Sequence, residues 1–431
     1  MNACTQLEST ESRGGTAERL CALDPKATAQ VTVLLGFAEA LSAPEVAWSL
    51  VDHGYRVLAF ARKGRRAALR HSRHVTCYEI CAPESDVERS LAELQELVVS
   101  LAADSGKRQL VLLPVDDKAV YLCGRVQPDN RWISAAPEGV RAELALNKSL
   151  QVEAARKAGF DVPNTREVRT AQEIFDFSAT QSFPMFLKSA ACVSVSSGRI
   201  CASRNWICLN HSDLERAVSQ WNERSPLLAQ ALIHGNGEGI FGIGTPEGVK
   251  AWSAHRRIRM MNPRGSGSSA CISQPVPEDL KPKVEALIDA VQWRGLFMIE
   301  FLRDSSGTYW FVELNGRAWG SMALARRVGL EYPAWHVKLA LSQSWMEEIP
   351  SGPVSGVVCR NVGRELMHML FLLRDIRQHT ACSKKAAMRT LAEVLRIRRG
   401  DTFYNWRRDD PKVFLADCFC TIHDNLFKSR N

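Results

Sequence analysis

Two glutamates and an asparagine within residues 295–321 form the most informative chemical pattern in the sequence. Two strand-like runs flank a short turn, so the segment predicts an antiparallel hairpin. If the turn residues Asp304 and Gly307 face each other, Glu300 lies opposite Phe311. The hairpin therefore carries acidic side chains in the middle of otherwise apolar strands.

This register puts four side chains on one face of the hairpin, because residues two apart in a strand share a side: Glu300, Phe311, Glu313 and Asn315. Met298 then lies opposite Glu313, and the two glutamates are diagonal neighbours within reach of one cation. Carboxylate and amide oxygens suit Mg²⁺, and burying them without a cation would be costly. The alternative is that this face is solvated and that Glu313 pairs with Arg317. A shift of one residue in the hairpin register would place the four side chains on different faces. The pattern favours the metal site.

The elements that would support this hairpin begin with a parallel sheet. Residues 31–35 are a short apolar run, a helical stretch follows, and strands at 55–60 and 109–117 continue the pattern. This alternation is typical of a Rossmann-like domain. The segment has no Gly-x-Gly-x-x-Gly sequence, so dinucleotide binding is not expected.

The character of the sequence changes near residue 147. A helix is predicted from Asn147 to a stop at Gly159, and antiparallel strands with a Gly-rich turn follow as far as residue 259. This mixture is α+β in character. The chain after Arg360 is predicted to be mostly helical, and it is basic.

Composition indicates a soluble, cytoplasmic protein. The 431 residues are 45% hydrophobic, enough for two or three domains with cores, and the 13 cysteines form no Cys-x-x-Cys pairs. The N-terminus lacks the order of a signal peptide, and no apolar run approaches the length of a membrane span. Most of the net charge of +8 falls in residues 360–431, which we interpret as a solvated helix face, so neither nucleic acid nor a membrane is an expected partner.

The order of these features resembles the ATP-grasp superfamily, especially its carboxylate-amine ligase branch. The resemblance spans roughly residues 110–340 and rests on Asn147-Lys148 opening a helix, FPMFLK ending at Lys188, AQALI before a Gly-rich turn, HRRIR, and the acidic hairpin. It implies a Rossmann-like pre-ATP-grasp domain at 28–141 and a two-lobed ATP-grasp domain at 142–344 (small lobe about 165–230, large lobe about 231–344). The polar, Ser/Thr/Gly-rich residues before them predict a flexible leader at 1–27, and a helical, basic C-terminal region is expected at 345–431.

The resemblance also implies roles for individual residues in a nucleotide site. Lys148 and Lys188 would neutralise the α- and β-phosphates of ATP. The linker between the lobes would bind adenine through backbone groups and apolar side chains: Gln230, Ala231, Leu232 and Ile233. The metal ions on the β- and γ-phosphates would be held by Glu300, Glu313 and Asn315.

Two arginines would stabilise the anionic acyl phosphate and the tetrahedral intermediate: Arg257 and Arg317, with Arg256 and Arg259 as alternatives to the first. Relatives often carry an acidic residue where this chain has Ala231, which leaves Glu238 as the candidate ribose ligand. The phosphate loop at 189–198 is rich in Ser and Ala where relatives have Gly. The loop at 263–270 offers backbone amides to an anionic substrate group.

The implied function is an ATP- and Mg²⁺-dependent carboxylate-amine ligase, with Mn²⁺ as an alternative metal. An acyl phosphate would form from a small carboxylate, and an amine would convert it to an amide with release of ADP and phosphate. The alternatives are a nucleotide-binding scaffold with little or no turnover and a transferase like the enzymes that form carbamoyl phosphate. The sequence does not identify the carboxylate, the amine or the oligomeric state, for which a homodimer is one candidate.

Overall fold

The computed structural model describes residues 30–104, 108–221, 223, 225–263, 267–352, 355–377 and 384–427. The predicted leader at 1–27 and part of the loop at 263–270 lie outside these residues. Within the described ranges, no helix combines the length and the apolar character needed to cross a membrane.

A five-stranded parallel sheet is the first part of the fold within the described residues. Its strands are β1 (Val31–Gly36), β2 (Arg56–Arg62), β3 (Val75–Ile80), β4 (Gln109–Pro114) and β5 (Trp132–Ser134), in the order β3-β2-β1-β4-β5. The helices between them are α1 (Ala43–Asp52), α2 (Val87–Asp104) and α3 (Asp117–Cys123), and a 3₁₀ turn spans Ala68–His71. The apolar run of β1 is fully buried, as a central parallel strand requires. The predicted parallel α/β sheet is confirmed. The strands β3 and β5 were not predicted, because their side chains are only partly apolar.

A smaller antiparallel sheet forms the next layer. After α4 (Val140–Leu146) and α5 (Lys148–Lys157), the order is β6 (Thr165–Val168), α6 (Ala171–Thr180), β7 (Met185–Ser189), β8 (Val195–Ser196), β9 (Arg199–Ile200), β10 (Asn205–Cys208), α7 (His211–Trp221) and β11 (Leu227–Ala231). The sheet order is β10-β7-β11-β6, with β8 and β9 as a separate hairpin. The side chain of Asn147 accepts hydrogen bonds from the N–H groups of Ser149 and Leu150, which fixes the start of α5.

A seven-stranded sheet is the largest element of the fold. It contains β12 (Asn236–Thr245), β13 (Gly248–Met260), β14 (Ser268–Gln274), β15 (Gly295–Arg303) and β16 (Tyr309–Asn315), with helices α8 (Lys281–Ala290), α9 (Met322–Arg327) and α10 (Tyr332–Ala340) and a 3₁₀ turn at Met346–Glu348. One face, with Ile299 and Phe301, packs against α8. The other face, with Phe241 and Met298, shares a core with β1 and α1.

The C-terminal region is joined to both preceding parts of the fold. It adds β17 (Val358–Arg360), α11 (Val362–Arg377), α12 (Lys384–Leu395), β18 (Thr402–Phe403) and α13 (Pro411–Phe427). The strand β17 pairs with β14 and β18 pairs with β17, which completes the sheet order β16-β15-β12-β13-β14-β17-β18. The expected boundary after residue 344 therefore does not separate independent sheets.

Candidate active site

The acidic hairpin forms, but its register differs from the predicted one. Glu300 lies directly opposite Glu313, and Met298 lies opposite Asn315. A β-bulge between the pairs Glu300–Glu313 and Phe301–Phe311 leaves Val312 as the extra residue. The prediction that the two glutamates are diagonal neighbours was wrong, because a sequence pattern does not reveal a bulge. The bulge brings the carboxylates closer together than the regular register would.

Phe311 does not share the face of the glutamates. It lies opposite Phe301, and both rings are in the core under α8. The turn between Asp304 and Gly307 forms, with the N–H of Gly307 donating to the carbonyl of Asp304 at 3.1 Å. The N–H of Asp304 donates to the carbonyl of Thr308, so the residue opposite Asp304 in the strand register is Thr308 and not Gly307. Gly307 has a φ of +92°, which allows the tight turn. Without the bulge, the register set by this turn would direct Glu313 into the apolar core.

Each glutamate holds a cationic side chain of the protein. Lys148 Nζ lies 3.1 Å from Glu313 Oε2, and Arg257 Nη2 donates a hydrogen bond to Glu300 Oε1 at 2.6 Å. Asn315 Nδ2 donates to Glu313 Oε1 at 3.1 Å, which leaves its carbonyl oxygen as the remaining donor atom for a metal. The alternative pairing of Glu313 with Arg317 is not formed.

Arg317 is instead bound by an aspartate from the N-terminal sheet. Its Nε and Nη2 donate to the two carboxylate oxygens of Asp117 at 2.9 and 3.2 Å, and its Nη1 donates to the carbonyl of Ala318. Asp117 is the first residue of α3, directly after β4. Asp117 was not among the predicted site residues, although an acidic pair after a parallel strand is a recognisable signal.

Burial and charge act in opposite directions on the two glutamates. Burial would raise the pKa of Glu313, but Lys148, Arg317 and Lys188 together lower it to about 2. Burial raises the pKa of Glu300, and Arg257 only partly opposes this effect. Glu313 is therefore the more firmly ionised carboxylate of the pair.

Lys188 projects from β7 into the same cleft. It is 5% exposed, and burial together with repulsion from Lys148 lowers its pKa to about 8. It pairs with Leu228 of β11, and side chains two residues away on these strands, Phe186 and Gln230, share its face of the small sheet. One face of the small sheet thus offers a cation, an amide and an aromatic ring.

The linker residues have different hydrogen-bonding capacity. Gln230 Nε2 donates to Thr165 Oγ1 at 2.7 Å, and the N–H groups of Ala231 and Leu232 donate to carbonyls within the small lobe. In the described part of the chain, the N–H of Ile233 has no such partner. Only the last linker residue therefore keeps a backbone donor for a ligand.

Glu238 lies on the other side of the large sheet. Gly239 pairs with Glu300, so the neighbouring Glu238 pairs with Phe301 and points towards the opposite face. It is 3% exposed and accepts a hydrogen bond from Gln274 Nε2. The predicted role of Glu238 as a ribose ligand is wrong, because strand alternation directs its side chain away from the cleft.

The structure distinguishes the three arginines of β13. Arg257 lines the cavity of the glutamates together with His255. Arg256 is exposed on the other face, and Arg259 Nε donates to Glu365 of α11 at 2.7 Å. Of the three, Arg257 alone contacts the acidic pair in the described residues.

The Ser-rich loop at 189–198 bends back onto the N-terminal sheet domain. The N–H of Val87 donates to the carbonyl of Gly198, and the N–H of Ile200 donates to the carbonyl of Pro83. At the start of the loop, the N–H of Lys148 donates to the carbonyl of Ala190. These bonds hold the start of the loop beside Lys148 and its end against the N-terminal sheet domain.

His255 is a buried polar group of the cleft that the sequence analysis did not single out. It is 3% exposed, and burial lowers its pKa to about 3, so it is neutral at physiological pH. Its Nδ1 lies 2.8 Å from Ser321 Oγ, whereas its Nε2 has no partner among the described residues. Nothing in the sequence distinguishes it from an ordinary core histidine.

The donor atoms fit a hard divalent cation. Two opposed carboxylates and an amide oxygen converge in a cavity of about 230 Å³, and such oxygens are the ligands that Mg²⁺ prefers alongside phosphate. The described residues contain no group of three His, Cys, Asp or Glu side chains arranged for a metal. The set is therefore suited to a metal that also takes ligands from a nucleotide.

The described fold is similar to solved structures of nucleotide-dependent enzymes. An N5-carboxyaminoimidazole ribonucleotide synthetase in its ADP complex matches with a TM-score of 0.57 and 13% identity, over 85% of this chain and 96% of that chain. The L-amino acid ligase from Bacillus licheniformis matches with a TM-score of 0.54 and 14% identity, over 76% and 78%. These neighbours are ATP-grasp proteins. This chain has the ATP-grasp fold.

A third neighbour with the ATP-grasp fold was solved with a magnesium nucleotide. The biotin carboxylase domain dimer of Hydrogenobacter thermophilus 2-oxoglutarate carboxylase, in complex with MgADP, ADP and bicarbonate, matches with a TM-score of 0.56 and 18% identity, over 74% of this chain and 72% of that chain. No family model matches the sequence, and no curated protein matches it. The predicted fold class is confirmed by these likenesses.

Proposed function

We propose that this protein is an ATP- and Mg²⁺-dependent carboxylate-amine ligase. The observation that carries the proposal is the acidic pair Glu300 and Glu313, which lies opposite Lys148 and Lys188 within an ATP-grasp fold. A substrate carboxylate oxygen would attack the γ-phosphorus of ATP, and the bond to the β-phosphate oxygen would break to release ADP. An amine would then attack the acyl carbon, with loss of phosphate and one proton, to form an amide.

Lys188 and Lys148 differ in whether they are available to a phosphate before the nucleotide binds. Lys188 is buried and has no carboxylate within ion-pair distance among the described residues, so it is available to a phosphate. Lys148 is paired with Glu313, and Glu313 is also a metal ligand in this proposal. Binding of a metal nucleotide would therefore transfer Lys148 from the carboxylate to a phosphate oxygen.

Mg²⁺ would be held by Glu300, Glu313 and Asn315, and it would neutralise charge on the β- and γ-phosphates. Arg257 would leave Glu300 in the same exchange and contact the anionic acyl phosphate. Arg317 has its guanidinium fixed by Asp117, so it would act as an oriented charge and not as a mobile ligand. Catalysis of this kind consists of positioning and charge neutralisation, and it requires no protein nucleophile.

The adenine would lie against the linker between the lobes. The free N–H of Ile233 supports a hydrogen bond to a ring nitrogen, and Phe186 on the same face as Lys188 offers a surface for stacking. Ala231 provides no acidic side chain for the nucleotide. Weak nucleotide selectivity would follow from this linker, because most of its contacts are apolar.

Calorimetric titration with a non-hydrolysable ATP analogue tests the nucleotide site. We expect binding that requires Mg²⁺ and is weakened at least about tenfold by Lys188→Ala and by the double change Glu300→Gln, Glu313→Gln. Matched controls on the exposed side of α5, Lys157→Ala and Glu153→Gln, should leave binding unchanged. No binding to a folded wild-type protein would contradict the proposal.

Turnover is tested separately with hydroxylamine as a general amine. Hydroxylamine converts acyl phosphates to hydroxamates, so a pool of carboxylates with Mg·ATP should yield hydroxamate and an equal amount of ADP. Glu313→Gln should abolish both products. Nucleotide binding without ADP release for any carboxylate would favour the scaffold, which the Ser-rich loop and Ala231 support.

A further inference from the structure

A second cavity adjoins the one that contains the acidic pair. It has a volume of about 460 Å³ and lies between the carboxyl ends of β1 and β2 and the helix α13. Leu41 and Arg364 line both cavities. A molecule in the second cavity could therefore extend one end to the reaction centre.

The Asp417 carboxylate acts on Arg364 of α11 from beyond ion-pair distance, and its charge partly offsets the effect of burial on the pKa of Arg364. Arg364 Nη1 donates to the carbonyl of Ser268 at 3.0 Å, and no carboxylate lies within ion-pair distance in the described ranges. A β-carbon at residue 267 would lie 2.6 Å from this Nη1, so Gly267 leaves the space that the guanidinium occupies. Burial lowers the pKa of Arg364, as expected for a partly desolvated cation. The side chain is thus fixed, cationic and available to an anion.

The acidic side chains of the second cavity are already in use. Glu39 and Glu84 both bind Arg62, at 3.4 and 3.1 Å, and Asp417 accepts a hydrogen bond from Asn361 at 3.1 Å. The remaining carboxylate, Asp424, lies 3.5 Å from His423 Nδ1. They are therefore poor ligands for an additional cation.

A second cation lies at the exposed edge of this cavity. Arg65 follows β2, lines the cavity and forms no ion pair with a described carboxylate. Arg66 also lines the cavity, but its Nη1 contacts the ring of His423 and its guanidinium lies 5.9 Å from the centre of the Phe419 ring. The partly buried Arg364 and the exposed Arg65 are therefore the guanidinium groups available to a ligand. Because guanidinium groups bind carboxylate and phosphate oxygens in fixed geometry, the complementary ligand is an anion with charge at both ends.

We propose that Arg364 binds the reacting carboxylate and that the substrate carries a second anionic group directed towards Arg65. The inference rests on the proposed ligase function and specifies its substrate class as a dianionic small molecule. It also makes α11 and α13 walls of the substrate cavity and gives the C-terminal region a role beyond stability. In the reaction, Arg364 holds the carboxylate whose oxygen attacks the γ-phosphorus and remains protonated throughout.

Calorimetry on protein saturated with Mg²⁺ and a non-hydrolysable ATP analogue tests the proposal, with acetate, succinate and glutarate as probes. We expect at least one of the two dicarboxylates to bind at least about tenfold more tightly than acetate. Arg364→Gln should weaken that binding at least about tenfold, Arg364→Lys should weaken it less, and Arg65→Gln should remove the preference over acetate. The matched control is Arg374→Gln, an exposed arginine on the same helix that lines neither cavity.

Nucleotide binding is measured first on every variant, and this separates the two hypotheses. Loss of nucleotide binding by the wild-type protein would contradict the proposed function itself. If nucleotide binds normally but no dicarboxylate binds, or if Arg364→Gln binds it as well as Arg374→Gln does, the inference about Arg364 is overturned and the ligase proposal stands. Normal nucleotide binding by Arg364→Gln also verifies that this variant is folded.

Discussion

At the scale of single residues, the cleft consists of ion pairs that a metal nucleotide can exchange. Glu313 holds Lys148 and Glu300 holds Arg257, so neither carboxylate is left buried without a cation. In this arrangement Lys148 and Arg257 contact the carboxylate oxygens that would bind Mg²⁺ when a metal nucleotide is present. Such exchange limits the cost of burying charge in both states, since each carboxylate and each cation always has a partner.

Lys188 differs because its charge depends on pH within the experimental range. Its pKa of about 8 means that the free protein loses this proton as the pH rises through 8, whereas bound phosphate favours the protonated form. We predict that affinity for a Mg²⁺-loaded ATP analogue falls by about tenfold between pH 7 and pH 9. Calorimetry across this range measures the effect.

The control for this prediction is Lys188→Arg, since a guanidinium stays protonated at both pH values. Its affinity should vary much less than that of the wild-type protein over the same interval. An equal pH dependence in the two proteins would show that another group titrates.

Asp117 acts on Arg317 across the boundary between two sheets. Its carboxylate accepts two hydrogen bonds from the guanidinium, and Asp117→Ala removes both. We predict that the hydroxamate reaction slows by roughly ten- to hundredfold, because Arg317 is no longer oriented. Nucleotide affinity should change less than about twofold, since neither residue is a proposed phosphate ligand. A large loss of nucleotide affinity with unchanged turnover would contradict this division of roles.

At the scale of elements, the acidic hairpin shows what sequence can and cannot predict. The alternation of apolar and acidic residues correctly predicted a hairpin with Glu300 and Asn315 on one face. The bulge at Val312 could not be predicted, because Val is an ordinary strand residue there. Strand alternation from the paired neighbour Gly239 also explains why Glu238 faces away, but that register is known only from three-dimensional pairing.

The end of this hairpin is held by a tight contact with a tryptophan. A β-carbon at residue 316 would lie 2.4 Å from Trp293 Cη2, and Trp293 is 1% exposed. We predict that Gly316→Ala destabilises the protein by about 1–3 kcal/mol and weakens Mg²⁺-dependent nucleotide binding, because Asn315 and Arg317 flank the displaced backbone. Thermal denaturation and calorimetry measure the two effects.

A second change tests the steric cause. Trp293→Phe removes the atoms nearest to residue 316, so the double variant Gly316→Ala, Trp293→Phe should lose less stability than the sum of the two single changes. Strict additivity would mean that the contact with Trp293 is not what Gly316 accommodates.

At the scale of the whole molecule, the three expected regions are more interdependent than the sequence suggests. The parallel sheet was predictable from its short apolar runs, and the ATP-grasp fold from the order of the motifs that carry the resemblance. Sequence reasoning could not predict that β17 and β18 extend the large sheet or that Arg364 reaches the cleft. These features depend on contacts between residues 43 to 96 positions apart, for which one sequence contains no local signal.

The C-terminal region is anchored to the N-terminal domain through a buried aspartate. Asp410 is 2% exposed and accepts hydrogen bonds from Trp48 Nε1 at 3.1 Å and from the N–H of Arg73 at 3.2 Å. We predict that Asp410→Ala lowers the apparent Tm by several degrees, because each buried donor left without a partner costs about 1–3 kcal/mol. The neighbouring Asp409→Ala is the matched control, since the Asp409 side chain is 46% exposed and its ion pairs contribute about 0–1 kcal/mol. Equal Tm values for the two variants would mean that α13 is held by its apolar contacts with α1 and not by this aspartate.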